Sequence, residues 1–214
     1  MYLPSHFEQP DVGTMHELMR ARPFATLVTL SSSGLNANHI PFVVSQDPAP
    51  LGTLQGHVAR ANPIWRDFSK DVEALAIFHG PHAYITPSWY ATKPRTGKVV
   101  PTWNYAVVHA YGALRVIEDR AWLRTQIEAL TTHHEASFAT PWNVGDAPAD
   151  YIENMVSHIV GVEIVITKLI GKWKVSQNQP AENRAGVIAG LKEIGTADAL
   201  LMADLIAAAD TKNR

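Results

Sequence analysis

The sequence predicts a mainly β protein, a small antiparallel barrel with helices attached outside it. Hairpin-linked strand patterns come first, and the first three have no helix between them, which argues against a doubly wound parallel sheet. After residue 118 the apolar period turns helical, so helices decorate the sheet rather than alternate with its strands. No Gly-x-Gly-x-x-Gly or Walker pattern occurs, which removes the common nucleotide-binding parallel folds.

Taken in order, Asp11 caps a short helix from Val12 to Arg20, and Pro23 stops it. FATLVTLSSSGLNANHIPFVVS (24–45) reads as two strands around a serine-rich turn closed by Gly34. QDPAPLG (46–52) is a loop, TLQGHV (53–58) a strand and NPIWRDFSK (62–70) a short helix, with Asn62 as cap and Pro63 at its first position. EALAIFHGPHAYITPSW (73–89) predicts two strands broken at Gly80-Pro81. YATKPRTGK (90–98) is a basic surface loop, and residues 99–118 form a long or bent strand with a bulge at Gly112. Helices follow behind Asp119 (119–135) and from Pro148 to His158, then a strand over 160–176. The tail from Ala181 to Ala209 contains Gly190 and Gly195 and is expected to break into two helices. The barrel should hold six or seven strands between Phe24 and Val175, and residues 1–214 are read as a single domain.

Apolar residues make up 46% of the 214 and charged ones 18%, enough for a sizeable core. The net charge of −2 disfavours direct DNA binding, since phosphate neutralisation supplies most non-specific affinity. Without cysteine there is no thiolate catalysis, zinc–thiolate site or disulfide framework, which suits a reducing cytoplasm. The N-terminal residues lack a signal-peptide pattern, and the most apolar run, Ile159 to Ile170, contains Glu163 and Lys168 and is too short to span a bilayer. A cytoplasmic protein without a membrane association is expected.

Three stretches offer chemistry. In GHVARANPIW (56–65), His57 sits on the polar face of a strand, and Arg60 precedes the helix start at Asn62. Arginine and free first-turn amides together suit an anion such as a phosphate, and equally describe a solvated arginine beside a plain cap. On the strand from Thr102, one face carries Trp103, Tyr105, Val107, His109 and Tyr111, and the other Thr102, Asn104 and small residues. A small face with polar groups at one end accepts a flat ring, or simply packs in the barrel. The aromatic face, if exposed, marks a subunit contact and a homodimer. Around Ser88 and Trp89, aromatic residues lead into Lys93, Arg95 and Lys98, a pattern able to grip a nucleotide or merely solvated. Histidines 133 and 134 point in different directions on a helix, so no metal site is expected there.

NHIPFVV, GHVARANPIW, AYITPSWYATK, GKVVPTWNYAVVHAYG and GKWKVSQNQPAENRAGVIAGL, with MYLPSHF at the start, resemble the PaiB family of FMN-binding negative transcriptional regulators. The likeness runs in order over nearly the whole chain. It implies an FMN-binding split barrel related to pyridoxamine-phosphate oxidases and flavin reductases, and a homodimer. It places the FMN phosphate on His57, Ala59, Arg60 and Asn62, and the ligand alongside Asn38, His39 and Pro41. Ser88, Trp89, Thr102 and Asn104 complete the expected cofactor contacts. The function implied is a flavin-dependent regulator or redox sensor. A flavin-dependent oxidoreductase and a haem-binding split barrel are the alternatives.

Overall fold

The computed structural model describes residues 1–211 and contains ten strands in two sheets. In chain order the strands are β1 (Glu8–Gln9), β2 (Phe24–Ser31), β3 (Gly34–Pro41), β4 (Val43–Ser45), β5 (Thr53–Ala59), β6 (Ala74–Ile85), β7 (Thr102–Gly112), β8 (Leu114–Ile117), β9 (Ile159–Val165) and β10 (Lys168–Lys174). The helices are α1 (Val12–Ala21), α2 (Lys93–Thr96), α3 (Arg120–Glu135), α4 (Ala149–Ser157), α5 (Ala181–Ile194) and α6 (Ala197–Thr211). One sheet has the order β1-β10-β7-β6-β2-β3 and the other β4-β5-β9-β8. The pairs β1·β10, β2·β3, β2·β6, β4·β5, β5·β9 and β8·β9 are antiparallel.

The chain forms two compact units. Residues 12–78 and 109–169 make the first, which contains the whole four-stranded sheet. Its core gathers Met19, Leu27, Phe42, Leu54, Ile64, Phe78 and Ile164, all fully buried. Alternation along β2 is clean: Ala25, Leu27 and Thr29 are buried while Phe24 and Leu30 are exposed. Helix α3 starts where Asp119 accepts a bond from Trp122 N at 2.7 Å. Its Trp122 sits over Gly161 on β9, where a Cβ would stand 2.5 Å from the indole. Leu123 joins Val144, Ile152 and Val156 in a cluster that seats α4.

Residues 1–11, 79–108 and 170–211 make the second unit among the described residues. Its buried side chains include Phe7, Ile85, Trp173, Val187, Leu191, Met202 and Ile206, so α5 and α6 carry much of its core. The tail breaks at Gly195, whose φ of 69° caps α5.

Several expected boundaries shift for identifiable reasons. β1 lies before the predicted barrel span, and the strand count exceeds six or seven because long strands split. β6 runs unbroken through Gly80-Pro81. The pairing with β2 covers Leu75–Ile77, which lies before Pro81. The predicted helix at 62–70 shrinks to a single 3-10 turn, Pro63–Trp65. Beyond it, Asp67 accepts bonds from Ser32 N and Oγ, and Ser69 N bonds Leu30 O, pulling the chain onto the β2–β3 hairpin. The strand over 160–176 is interrupted at Ile166-Thr167, where Thr167 N bonds Tyr111 O at 2.9 Å. The long strand over 99–118 divides at Ala113, beyond Gly112, and its halves join different sheets. Inside the expected loop at 90–98, Lys93–Thr96 form one helical turn ended by Gly97 at φ 62°.

Candidate functional site

In the first unit, the end of β5 and the turn after it hold most of the predicted phosphate residues. Asn62 is the cap expected: its Oδ1 accepts from Ile64 N at 3.0 Å. Its Nδ2 donates to Asn38 Oδ1 at 2.8 Å, and Asn38 in turn donates to Asn36 Oδ1 at 2.9 Å. The two segments picked out for the ligand thus meet through their asparagines. His39 is exposed and bonds Thr26 Oγ1 at 3.2 Å, with Pro41 opposite Phe24 at the end of the hairpin.

Arg60 is committed inside the protein. Nε donates to Ser157 O at 3.0 Å, one terminal nitrogen to Ile159 O at 3.2 Å and the other to Glu118 at 2.7 Å. Its backbone N also bonds His158 O, and its carbonyl accepts from Trp65 Nε1. Arg60 therefore clips the end of β5 to the α4–β9 junction, with its charge met by Glu118. His57 Nδ1 lies 2.7 Å from Oε1 of buried Gln126 on α3, which fixes the imidazole on the half-buried face of β5. Ala59 is exposed at the strand end.

In the second unit, Thr102 and Asn104 line a pocket of about 210 Å³ with Tyr90, Lys174, Ser176 and Gln179. Asn104 is 1% exposed; its Nδ2 donates to Ser176 Oγ at 2.8 Å, while Oδ1 has no hydrogen-bond partner. A buried bare acceptor costs stability unless something fills it. Lys174 Nζ donates to Thr102 Oγ1, so the ammonium is held at the same wall. Ser176 has φ of 63°, a left-handed conformation unusual for a residue with a side chain, and it presents its hydroxyl to Asn104. Burial pushes the Tyr90 phenol above its ordinary value of 10.0, so it stays a neutral O–H. Lys174, Ser176 and Gln179 escape a reading for chemistry because they fall at the end of a strand. The polar run Ser176 to Gln179 before Pro180 is the signal that the strand ends in a shaped turn.

Trp89 instead lines a separate pocket of about 410 Å³ with His82, Tyr84, Trp103 and Asp198, whereas Ser88 is exposed and 3.4 Å from Lys93 Nζ. The aromatic face of β7 is more covered than expected. Val107 is buried, Lys172 Nζ lies 5.4 Å from the Tyr105 ring, and Lys168 Nζ lies 4.2 Å from the Tyr111 ring. Only Trp103 on that face is more than half exposed, at 52%.

Two antiparallel sheets with appended helices make the mainly β split barrel that the sequence predicts. The chain belongs to the PaiB family: the family model described as "Putative FMN-binding domain" matches residues 1–168. The uncharacterized protein AN0679 of Emericella nidulans is 36% identical over 96% of each chain. Protease synthase and sporulation protein PAI 2 of Bacillus subtilis is 29% identical, also over 96% of each. Among solved structures, the conserved hypothetical protein Rv2991 of Mycobacterium tuberculosis superposes with a TM-score of 0.58 at 11% identity, covering 84% of this chain and 94% of that one. The flavocytochrome Anf3 of Azotobacter vinelandii gives 0.54 at 13% identity, covering 78% and 69%.

Proposed function

We propose that the chain is a cytoplasmic, homodimeric FMN-binding protein that works as a flavin-dependent regulator or redox sensor. The observation that carries this reading is the bare Oδ1 of Asn104 in a pocket that also presents Lys174, Thr102, Ser176 and Gln179. A flavin ring offers one N–H between two carbonyl oxygens along its polar edge. A buried acceptor among ammonium, hydroxyl and amide donors complements that edge. The pocket's 210 Å³ falls below the usual size of whole-ligand sites, which suits the end of a ring system rather than a complete FMN. In this reading Asn104, Lys174 and Ser176 would hold the polar edge of the ring. When bound, FMN supplies the electron-transfer chemistry itself.

Among the described residues that line this pocket there is no histidine or carboxylate, and Tyr90 is held neutral. That lining favours a flavin kept for sensing over one committed to a proton-transferring oxidoreductase reaction. Haem, which flavocytochrome Anf3 carries by its name, would need an axial ligand such as histidine, so the lining favours FMN. The net charge of −2 favours regulation through a metabolite or a partner protein over direct DNA contact.

A second placement for the flavin is the Asn38–Asn62 segment with Arg60, as the family resemblance implies. The internal commitments of Arg60 argue against it as a phosphate clasp. Titration of FMN and riboflavin by flavin fluorescence separates the two. Asn104→Ala should weaken both ligands by roughly three- to tenfold, the loss of one hydrogen bond. Under the second placement Arg60→Ala weakens FMN alone, by roughly ten- to a hundredfold. Absence of flavin binding by the wild-type protein would overturn the reading.

A further inference from the structure

The larger pocket has the opposite electrostatic character to the Lys174 pocket. Its walls are His82, Ala83 and Tyr84 on β6, Trp103 on β7, Trp89 in the turn after β6, and Asp198 with Thr196 at the start of α6. The aromatic rings are organised. His82 and Trp103 have centroids 5.6 Å apart, and Tyr84 meets Trp103 edge-on at 6.1 Å. Trp89 is seated against α5 by two glycines: a Cβ on Gly190 would stand 2.2 Å from its indole, and one on Gly186 would stand 2.0 Å from its carbonyl oxygen. Such a seat fixes the Trp89 ring before any ligand arrives. Trp103 and Tyr84 are 52% and 49% exposed, a cost in water that a ligand would relieve.

The charge of the pocket selects the ligand. Asp198 contributes a carboxylate, 3.8 Å from His82 Nε2, and among the described residues that line the pocket there is no lysine or arginine. The indoles of Trp89 and Trp103 and the phenol of Tyr84 are ring systems that attract a cation. An anionic ligand is therefore opposed here, which separates this site from one for a flavin phosphate. A volume of about 410 Å³ lies within the range of small-molecule sites.

We propose that this pocket is a second binding site, for a planar cationic heteroaromatic ring such as an N-alkylated pyridinium or a protonated aminoheterocycle. The ring lies against Trp103 and Trp89, and Asp198 faces its positive charge. The site is independent of the flavin reading, since no residue is shared between the two pockets.

Isothermal titration of the full chain with 1-methylnicotinamide, benzamide and nicotinate tests this. These probes share one ring size and differ in charge. The cation should bind at one per chain, benzamide roughly three- to thirtyfold more weakly, and nicotinate least. Trp103→Ala removes a half-exposed side chain and should weaken both benzamide and the cation. Asp198→Asn should weaken only the cation, leaving benzamide unchanged. FMN affinity should be the same in both variants, so a failure of flavin binding leaves this test intact. Equal affinity for all three probes, no binding of the cation, or an unchanged cation affinity in Asp198→Asn would each overturn the proposal.

Discussion

Arg60 shows how far a single residue can be read from its neighbours in sequence. Its place after a strand and before Asn-Pro suggests an anion, and Asn62 does cap the turn as its position demands. The partners of Arg60 lie far along the chain, on Glu118, Ser157 and Ile159, and no local pattern reveals them. The Glu118 pair is exposed and contributes little, whereas the two backbone carbonyls would lose charged donors. Arg60→Ala is therefore expected to lower the unfolding free energy by about 1–3 kcal/mol in urea titrations. Arg60→Lys should recover only part of it, because an ammonium cannot reach three acceptors in fork geometry. Tyr90 gives a pH signature. Its folded-state value is raised by burial, so it favours the folded state at neutral pH relative to high pH. Once the unfolded chain's phenol ionises, near 10.0, the unfolded state gains and stability falls as pH rises. Tyr90→Phe should flatten that alkaline decline in urea melts between about pH 9 and 11. An unchanged slope would mean that other groups govern it.

At the scale of elements, local chemistry identified α1, α3, α4 and the break between α5 and α6, because each has a cap, a proline or a glycine at its end. The errors occur where long-range contacts overrule a local signal. The helix start at Asn62-Pro63 is genuine, yet Asp67 and Ser69 are captured by the β2–β3 hairpin after one turn. Gly190 reads as a weak point in a helix, and in the structure it is an interior position of α5 that makes room for Trp89. This sets up a conflict that can be measured. Alanine has the better helix propensity by about 1 kcal/mol, while its Cβ would overlap a ring held 2.2 Å away. Overpacking of this kind typically costs about 1–3 kcal/mol. Gly190→Ala should therefore destabilise the protein in spite of its propensity gain. Adding Trp89→Ala should reverse the sign of the Gly190→Ala effect in a double-mutant cycle. Additive effects would mean that the indole moves aside at no cost.

The whole molecule raises the matter of its assembly. The family resemblance implies a homodimer, and the sequence suggests the aromatic face of β7 as the contact. Lysines 168 and 172 lie over Tyr111 and Tyr105, so most of that face is already occupied. Sequence alone cannot show this, because β10 joins β7 only through the sheet order. A different surface is left uncovered in the first unit. The outer face of the β2–β3 hairpin pairs Thr26 with His39, Val28 with Ala37 and Leu30 with Leu35, and Phe24 faces Pro41 at its end. Phe24 is 65% exposed and Leu35 82%, and no charged residue occurs in either strand. β3 is also the edge of its sheet, and GLNANHIP lacks the lysines that usually guard an eight-residue edge. An uncharged apolar face continuous with an unprotected edge is the kind of surface that a second copy of the chain covers. The expected result by light scattering is a dimer at micromolar concentration. Leu35→Lys places a charge on the exposed strand without touching the core, so it should shift the protein toward monomer while leaving its thermal midpoint in the dilute limit nearly unchanged. A wild-type monomer would remove the homodimer from the proposed function. A dimer indifferent to Leu35→Lys would move the interface to another face.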